Sequence, residues 1–236
     1  MAFIHKPLKC DKELIVETDP SGVRHYTTPE KNRYPSITTV LSGMKKEVIE
    51  KWIKRVGVKF AEQEKKRTCE RGNILHEMSE LYIQNIPLKE ILEMRDKKTG
   101  LRKFPPFYWG LFNKFRLILA KHVNNIYMQE SPLYSDKLKI AGRVDLIADY
   151  DGVPSIIDFK GSNKEKLESW ILSYFMQASG YSFMAYEQTG FLAKQIVVII
   201  TAEDGTSSVY IKNPADYIAK LKKEIEDYTK KMLVCP

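Results

Sequence analysis

The chain reads as an α/β protein in which a mixed central sheet is flanked by helices and preceded by a helical N-terminal lobe. Three observations predict this. Apolar residues at helical spacing dominate from about residue 47 to 122, and strand-like segments dominate from 125 to 160. Helix and strand then alternate to the C-terminus. Between the last two strand-like segments stands Asp151-Gly152, a strong signal for a two-residue hairpin turn when apolar residues flank it. No repeat, low-complexity tract or linker interrupts the 236 residues, a length within reach of one core. One domain is therefore expected over 1–236, with an extended segment and helical lobe at 1–125 and the sheet core at 126–236.

The first forty residues read as extended, because Pro29 and Pro35 oppose a helix. Within them His25-Tyr26-Thr27-Thr28 and Ile37-Thr38-Thr39-Val40 are β-branched and aromatic, the composition of strands. Val48, Trp52, Val56 and Phe60 share one stripe and predict a helix over 47–66 that buries them. Further helices are expected over 71–84 and 106–122. Strands follow at 125–133, 138–150 and 153–160. A long helix covers 166–188 and closes on Gly190 as its C-cap. Strands at 195–201 and 207–212, hinged at Asp204-Gly205, lead into a last helix over 214–232.

Composition narrows the class. Hydrophobic residues make up 43% and charged residues 29%, the balance of a water-soluble globular protein. No apolar run is long enough to span a bilayer, and the start of the chain has no secretory core, so an intracellular, cytoplasmic protein with no membrane partner is expected. Cys10, Cys69 and Cys235 are too scattered for a zinc site or a disulfide framework. They are also too few for the four thiolates of an iron–sulfur cluster. The net charge of +8 suits a polyanionic partner. Basic residues concentrate at 45–66 and 95–116. Those at 220–231 alternate with Glu224, Glu226 and Asp227, as on an ordinary solvated helix face.

Chemistry gathers around the hairpin. With Asp151-Gly152 as the turn, Asp145 of Gly142-Arg143-Val144-Asp145 faces Asp158 of Ile157-Asp158-Phe159-Lys160, and Arg143 faces Lys160. Opposed carboxylates repel, and a divalent cation between them removes the repulsion. Diagonal ion pairs on a solvated sheet face are the alternative. The Asp158-x-Lys160 alternation sets a carboxylate beside an ammonium. Such carboxylates can hold an ion while the lysine orients or deprotonates water and offsets transition-state charge. Gln177 and Tyr181, one helical turn apart, share a face with Tyr174 near Trp170. Gln177 is either bonded to backbone at the edge of a buried face or paired with Tyr181 to touch a phosphate or position Lys160. In Arg71-Gly72-Asn73-Ile74-Leu75-His76, the apolar face runs through Ile74, Leu75, Met78, Leu81 and Tyr82. His76 points the other way, to solvent or, if that face borders the hairpin, to a metal.

Four motifs in order, Arg-Gly-x-x-x-His, Gly-Arg-Val-Asp, Ile-Asp-Phe-Lys and Gln-x-x-x-Tyr, resemble the RecB-like branch of the PD-(D/E)XK nuclease superfamily. The opening Tyr34-Pro35-Ser36-Ile37-Thr38-Thr39-Val40 is similar to the mitochondrial genome maintenance exonucleases and their phage-type relatives. The resemblance covers 34–186. It implies a restriction-endonuclease-like sheet and a metal-dependent deoxyribonuclease, an exonuclease on single-stranded DNA ends serving replication, recombination or repair. It implies Mg²⁺ or Mn²⁺ held by His76, Asp145, Asp158 and the main-chain carbonyl of Phe159, with Glu130 reaching the site through water. Lys160 would be the catalytic lysine, acting with Asp145, Asp158, Gln177 and Tyr181, and Arg71, Arg143 and Tyr181 would contact nucleic acid. Trp52, Tyr82 and Trp109, among the lobe's cations, would line a channel for the strand. The chain departs from the iron–sulfur members of the branch, and it has no phosphate-binding motor motif. A helicase or single-strand-binding partner would be a separate protein. A double-strand exonuclease, a structure-specific endonuclease and a non-catalytic DNA-binding module are the rival readings.

Overall fold

The structure is a computed structural model and describes residues 2–10, 13–20 and 22–234. Its N-terminal segment is extended, as expected, ahead of the helices. It opens with a small antiparallel sheet of β1 (Ile15–Thr18), β2 (Arg24–Thr27) and β3 (Arg33–Pro35). Next comes α1 (Ile37–Ser42), where a strand was expected. Ser36 caps it, its Oγ accepting the Thr39 N–H at 3.1 Å, and Ile37, Val40 and Leu41 bury one face. Burial of that stripe outweighs the β-branched composition, a preference worth under about 1 kcal/mol per residue.

The helices α2 (Lys46–Val56) and α3 (Val58–Ile83) correct two expected boundaries. Gly57 lies between them at φ 85°, ψ 150°, a region open essentially only to glycine, so the expected helix over 47–66 breaks there. Beyond it α3 runs unbroken through the expected start at residue 71. Its length is what carries His76 across the sheet. The stripe expected to be core is not: α2 fully buries none of its residues, and Val48 and Phe60 are exposed. Two further helices, α4 (Leu88–Glu93) and α5 (Trp109–His122), complete this half.

The main sheet has five strands in the order β4 (Val123–Ser135), β5 (Ile140–Tyr150), β6 (Val153–Ser162), β7 (Gln195–Ala202) and β8 (Ser207–Lys212). Only β6 and β7 run parallel, linked by the crossover helix α6 (Leu172–Thr189), so the sheet is mixed. Gly190 closes α6 in the left-handed region, and α7 (Ala215–Val234) follows β8. The hairpin turn is as expected. Asp151 and Gly152 have φ of 51° and 76°, the mirror-image turn whose twist matches that of its strands.

Each face of the sheet carries a core. Ile196, Val198 and Ile200 pack with α1, α6 and α7, whereas Val197 and Ile199 pack with α3 and α5. A strand buried on both faces is apolar at every position, which is why β7 reads as a continuous run. Cys10 and Cys69 are free thiols, and Cys235 lies outside the described residues. Among the described residues no helix is long and apolar enough to cross a membrane.

Candidate active site

The turn sets the register of β5 against β6, and pairs run from Tyr150–Val153 to Leu146–Ile157. The ladder stops there, one step before Asp145 and Asp158. Opposition across a continuous ladder is therefore corrected: β5 and β6 part at the carboxylates. Asp145 Oδ2 fills the gap by accepting the Phe159 N–H at 2.8 Å, which satisfies a backbone donor that lost its strand partner. On the other side Glu130 falls between the pairs Gln129–Leu146 and Ser131–Val144, level with Asp145. Its φ is 44°, the left-handed region that a glutamate seldom occupies. Both neighbours of β5 thus leave regular geometry at one level, where three carboxylates gather.

Above them crosses α3. Its buried side carries Leu75 and Met78, and its other side, with Cys69, Gly72, Asn73 and His76, forms the wall of a cavity of about 750 Å³. His76 Nε2 lies 3.0 Å from the Phe159 carbonyl oxygen, while Nδ1 lies 3.4 Å from Glu130 Oε1 and 3.5 Å from Asp145 Oδ1. The first contact makes Nε2 the donor and aims Nδ1 at the two carboxylates. Burial lowers the imidazole pKa, but Asp145 and Glu130 together outweigh it and hold the group up at about 9. A protonated His76 supplies the positive charge that two converging carboxylates require.

Asp158 lies deeper, 1% exposed. Lys160 Nζ sits 2.7 Å from each of its oxygens and donates a hydrogen bond to Oδ1, to which Gln177 Nε2 also donates at 3.1 Å. Asp158 Oδ2, although close to the ammonium, has no hydrogen bond of acceptable geometry. Burial pushes the Asp158 carboxyl up to about 6, Asp145 adds to this, and Lys160 opposes it. Burial works to lower Lys160, but Asp158 and Asp145 raise it overall, so the lysine is an ammonium. Gln177 Nε2 also reaches Tyr181 Oη at 3.5 Å. Burial, with Asp145 and Asp158 nearby, drives the Tyr181 phenol well above its ordinary value and keeps it neutral.

His76, Glu130 and Asp145 offer ligand atoms within 4.8 Å of one another, so Glu130, to which the resemblance gives a contact through water, lies as near to His76 as Asp145 does. The Phe159 carbonyl is occupied by His76 Nε2, the backbone contact that fixes ring orientation in histidine ligands. Asp158 is engaged by Lys160 through both oxygens and by Gln177 at Oδ1. One imidazole nitrogen with carboxylate oxygens is a donor set that fits Mn²⁺ and Mg²⁺.

Arg143 stands at the cavity wall, 60% exposed and 3.9 Å from Glu130 Oε2, and Arg24 of β2 joins it. Arg71 is elsewhere. It is 3% exposed and binds Glu203 Oε1 at 2.5 Å, Asn163 Oδ1 at 2.6 Å and the Gly161 carbonyl at 3.2 Å. A guanidinium so engaged anchors α3 to the sheet and has no face for nucleic acid. The expected stacking groups are corrected too. Tyr82 packs edge-on against Phe3 and Phe112, Trp109 donates its Nε1–H to the Phe104 carbonyl at 2.9 Å, and Trp52 is absent from the cavity wall. Arg24 and Tyr26 of β2 line the cavity without any signal in their spacing, because the small sheet reaches it only through folding.

No family model matches the chain, and no curated protein does. Among solved structures, a protein named as a candidate exonuclease from Eubacterium rectale is similar over 69% of this chain and 66% of its own, with 10% identity and a TM-score of 0.45. The reading that follows rests on the site's own geometry.

Proposed function

We propose that the protein is a divalent-metal-dependent deoxyribonuclease, an exonuclease that hydrolyses phosphodiester bonds from a free single-stranded end, with 1–236 as one nuclease domain. One observation carries it: His76 Nδ1, Glu130 and Asp145 converge beside the Asp158–Lys160–Gln177 cluster in a cavity walled by Arg24 and Arg143. A phosphodiester is an anion whose hydrolysis builds negative charge, and the site pairs a ligand set with cations. His76, once its Nδ1 proton is displaced, would hold Mg²⁺ or Mn²⁺ with Glu130 and Asp145 beside Asp158, and the ion would supply Lewis-acid polarisation of the scissile phosphate and a bound water of lowered pKa.

The chain's own residues do the rest. The Phe159 carbonyl and Phe159 N–H orient His76 and Asp145, so both ligands are held by one stretch of β6 backbone. Lys160, kept protonated, offsets charge on the transferring phosphoryl group rather than acting as a base. Gln177 holds Asp158 against Lys160, and the neutral Tyr181 offers a hydroxyl rather than a charge. Arg143 and Arg24 meet the flanking phosphates.

The test is a gel of end-labelled single- and double-stranded oligonucleotides with Mg²⁺, with Mn²⁺ and with chelator. The expected result is metal-dependent shortening of the single strand, lost in Asp145→Asn. Cleavage that survives the chelator, or in Asp145→Asn, overturns the reading.

A further inference from the structure

Behind the Lys160–Gln177 wall lies a second cavity, of about 270 Å³, between the end of α1 and the start of α6. It shares Thr38, Lys160 and Gln177 with the main cavity, so whatever occupies one abuts the other. Its remaining lining is Leu41, Ser42, Lys45, Ser173 and Tyr174, and among these groups there is no carboxylate.

Two independent observations give the cavity a chemistry. The first is a hydroxyl without a partner: Ser173, 7% exposed, lines the cavity, and its Oγ is buried with no hydrogen bond. Buried hydroxyls are nearly always satisfied, so an orphan calls for a partner that the chain itself does not supply, a water, an ion or a ligand. Ser173 is the second residue of α6, a helix with no side-chain cap. The N–H groups of Leu172 and Ser173 have no acceptor among the described residues. The second observation is uncompensated positive charge. Lys45 Nζ lies 4.5 Å from the centre of the Tyr174 ring and Lys160 Nζ 5.3 Å from it. Lys160 is neutralised by Asp158, but Lys45 has no ion pair among the described residues. Burial and the repulsion of Lys166 and Lys160 all press on its charge. Free donors and a half-buried cation, with no carboxylate lining the cavity between them, describe an oxyanion site.

We propose that this cavity is a second phosphate subsite, in which Lys45, Ser173 Oγ and the start of α6 hold the internal phosphodiester adjoining the scissile one. The proposal rests on the nuclease reading and deepens it. A strand whose scissile phosphate reaches the His76–Glu130–Asp145 cluster continues past Lys160 into this cavity, and its next phosphate meets donors already desolvated for it. The contact fixes where the strand stops relative to the metal, and so the register of the cut.

The experiment combines substrate and protein changes. Single-stranded oligonucleotides carry one neutral methylphosphonate linkage, moved stepwise across the cleavage position. They are cut by the parent protein, Lys45→Ala, Ser173→Ala and the rescue variant Lys45→Arg, with thermal midpoints confirming folding. In the parent, the neutral linkage is expected to cost about tenfold in kcat/KM at one position beside the scissile bond, the size of one charge-assisted hydrogen bond. Lys45→Ala and Ser173→Ala are expected to lose a similar factor on the unmodified strand and nothing further at that position, with Lys45→Arg largely restored. Losses that simply multiply at every position overturn the subsite. A requirement for a terminal phosphate, read by comparing phosphorylated and hydroxyl ends, overturns its assignment to an internal linkage.

A metal-free binding arm separates this from failure of the nuclease reading. A labelled oligo-dT bound without divalent ions should lose about 0.7 in salt slope in Lys45→Ala, the share of one phosphate contact on a single strand. If that slope change is found and no strand is ever cut, Lys45 is a phosphate contact, but the nuclease reading falls and takes with it the place of that contact beside a scissile bond. If strands are cut and the slope is unchanged, the nuclease reading stands and the subsite falls.

Discussion

Gly142 and Tyr181 stand so close that only one of them can have a side chain. A Cβ on residue 142 would lie 2.8 Å from Tyr181 Cε1 and 2.9 Å from its Oη, with the Ile37 side chain at 3.2 Å on the other side. The glycine of Gly-Arg-Val-Asp therefore exists for the tyrosine of Gln-x-x-x-Tyr, a link that spacing alone does not show. Gly142→Ala should displace Tyr181, disturb Gln177 on Asp158, and cost roughly 1–3 kcal/mol through overpacking. Denaturant melts together with turnover check it, and an unchanged turnover would show that Tyr181 is only packing. At Lys160, Ala should lower kcat by about 10²–10³-fold while affinity for DNA in Ca²⁺ changes little, because transition-state charge rather than ground-state binding is lost. An equal loss of affinity with kcat preserved would make Lys160 a phosphate contact. Glu130→Gln should weaken Mn²⁺ binding, read by titration calorimetry, as strongly as Asp145→Asn. A weak effect would return Glu130 to an outer role.

At the scale of elements, α3 carries the histidine and has to be held. Arg67 joins Glu64 on its own helix to Glu203 beyond β7, and Arg71 joins Glu203 to the Gly161 carbonyl of β6. Hydrogen bonds from Arg67 and Asn163 hold the Glu64 carboxyl down at about 2. The sign follows. A carboxylate depressed in the folded state adds stability that is full above its ordinary value of 4.5, and that is lost as pH falls toward 2. Chemical denaturation at stepped pH should show this loss in the parent, and Glu64→Gln should flatten that part of the curve. Arg71→Ala should lower stability while leaving the salt slope of DNA binding untouched, since its guanidinium is spent on protein. A reduced slope would put Arg71 on the substrate. The helix boundaries here were only partly legible. The Val48–Phe60 spacing does mark helix, but Gly57 divides it, and exposure of the stripe depends on which neighbours pack against it.

For the whole molecule, the reading predicts that a linear single strand is degraded while its covalently closed circle survives. Duplex should be a poorer substrate, and activity should fall steeply with salt as phosphate contacts release counterions. Efficient cutting of the circle would mean an endonuclease, and preference for blunt duplex would mean a double-strand exonuclease.

The parts of the fold that depend on local geometry are written in the chain. Asp151-Gly152 dictates its own turn, the turn dictates the register through Leu146–Ile157, and period-two alternation dictates which residues share a strand face. From these, the neighbourhood of Asp145, Asp158 and Lys160 follows without a structure. Tertiary structure alone decided which groups close the site. That the ladder opens at Asp145, that Glu130 turns left-handed beside it, and that Phe159 offers its carbonyl to His76 are outcomes of three segments meeting. Arg71 and Tyr82 show the same limit, one drawn into an ion-pair anchor and the other into an aromatic core. Local chain chemistry acts over a turn of helix or a step of strand. The partners of His76 stand 54 to 83 residues away, and no spacing rule reaches across that distance.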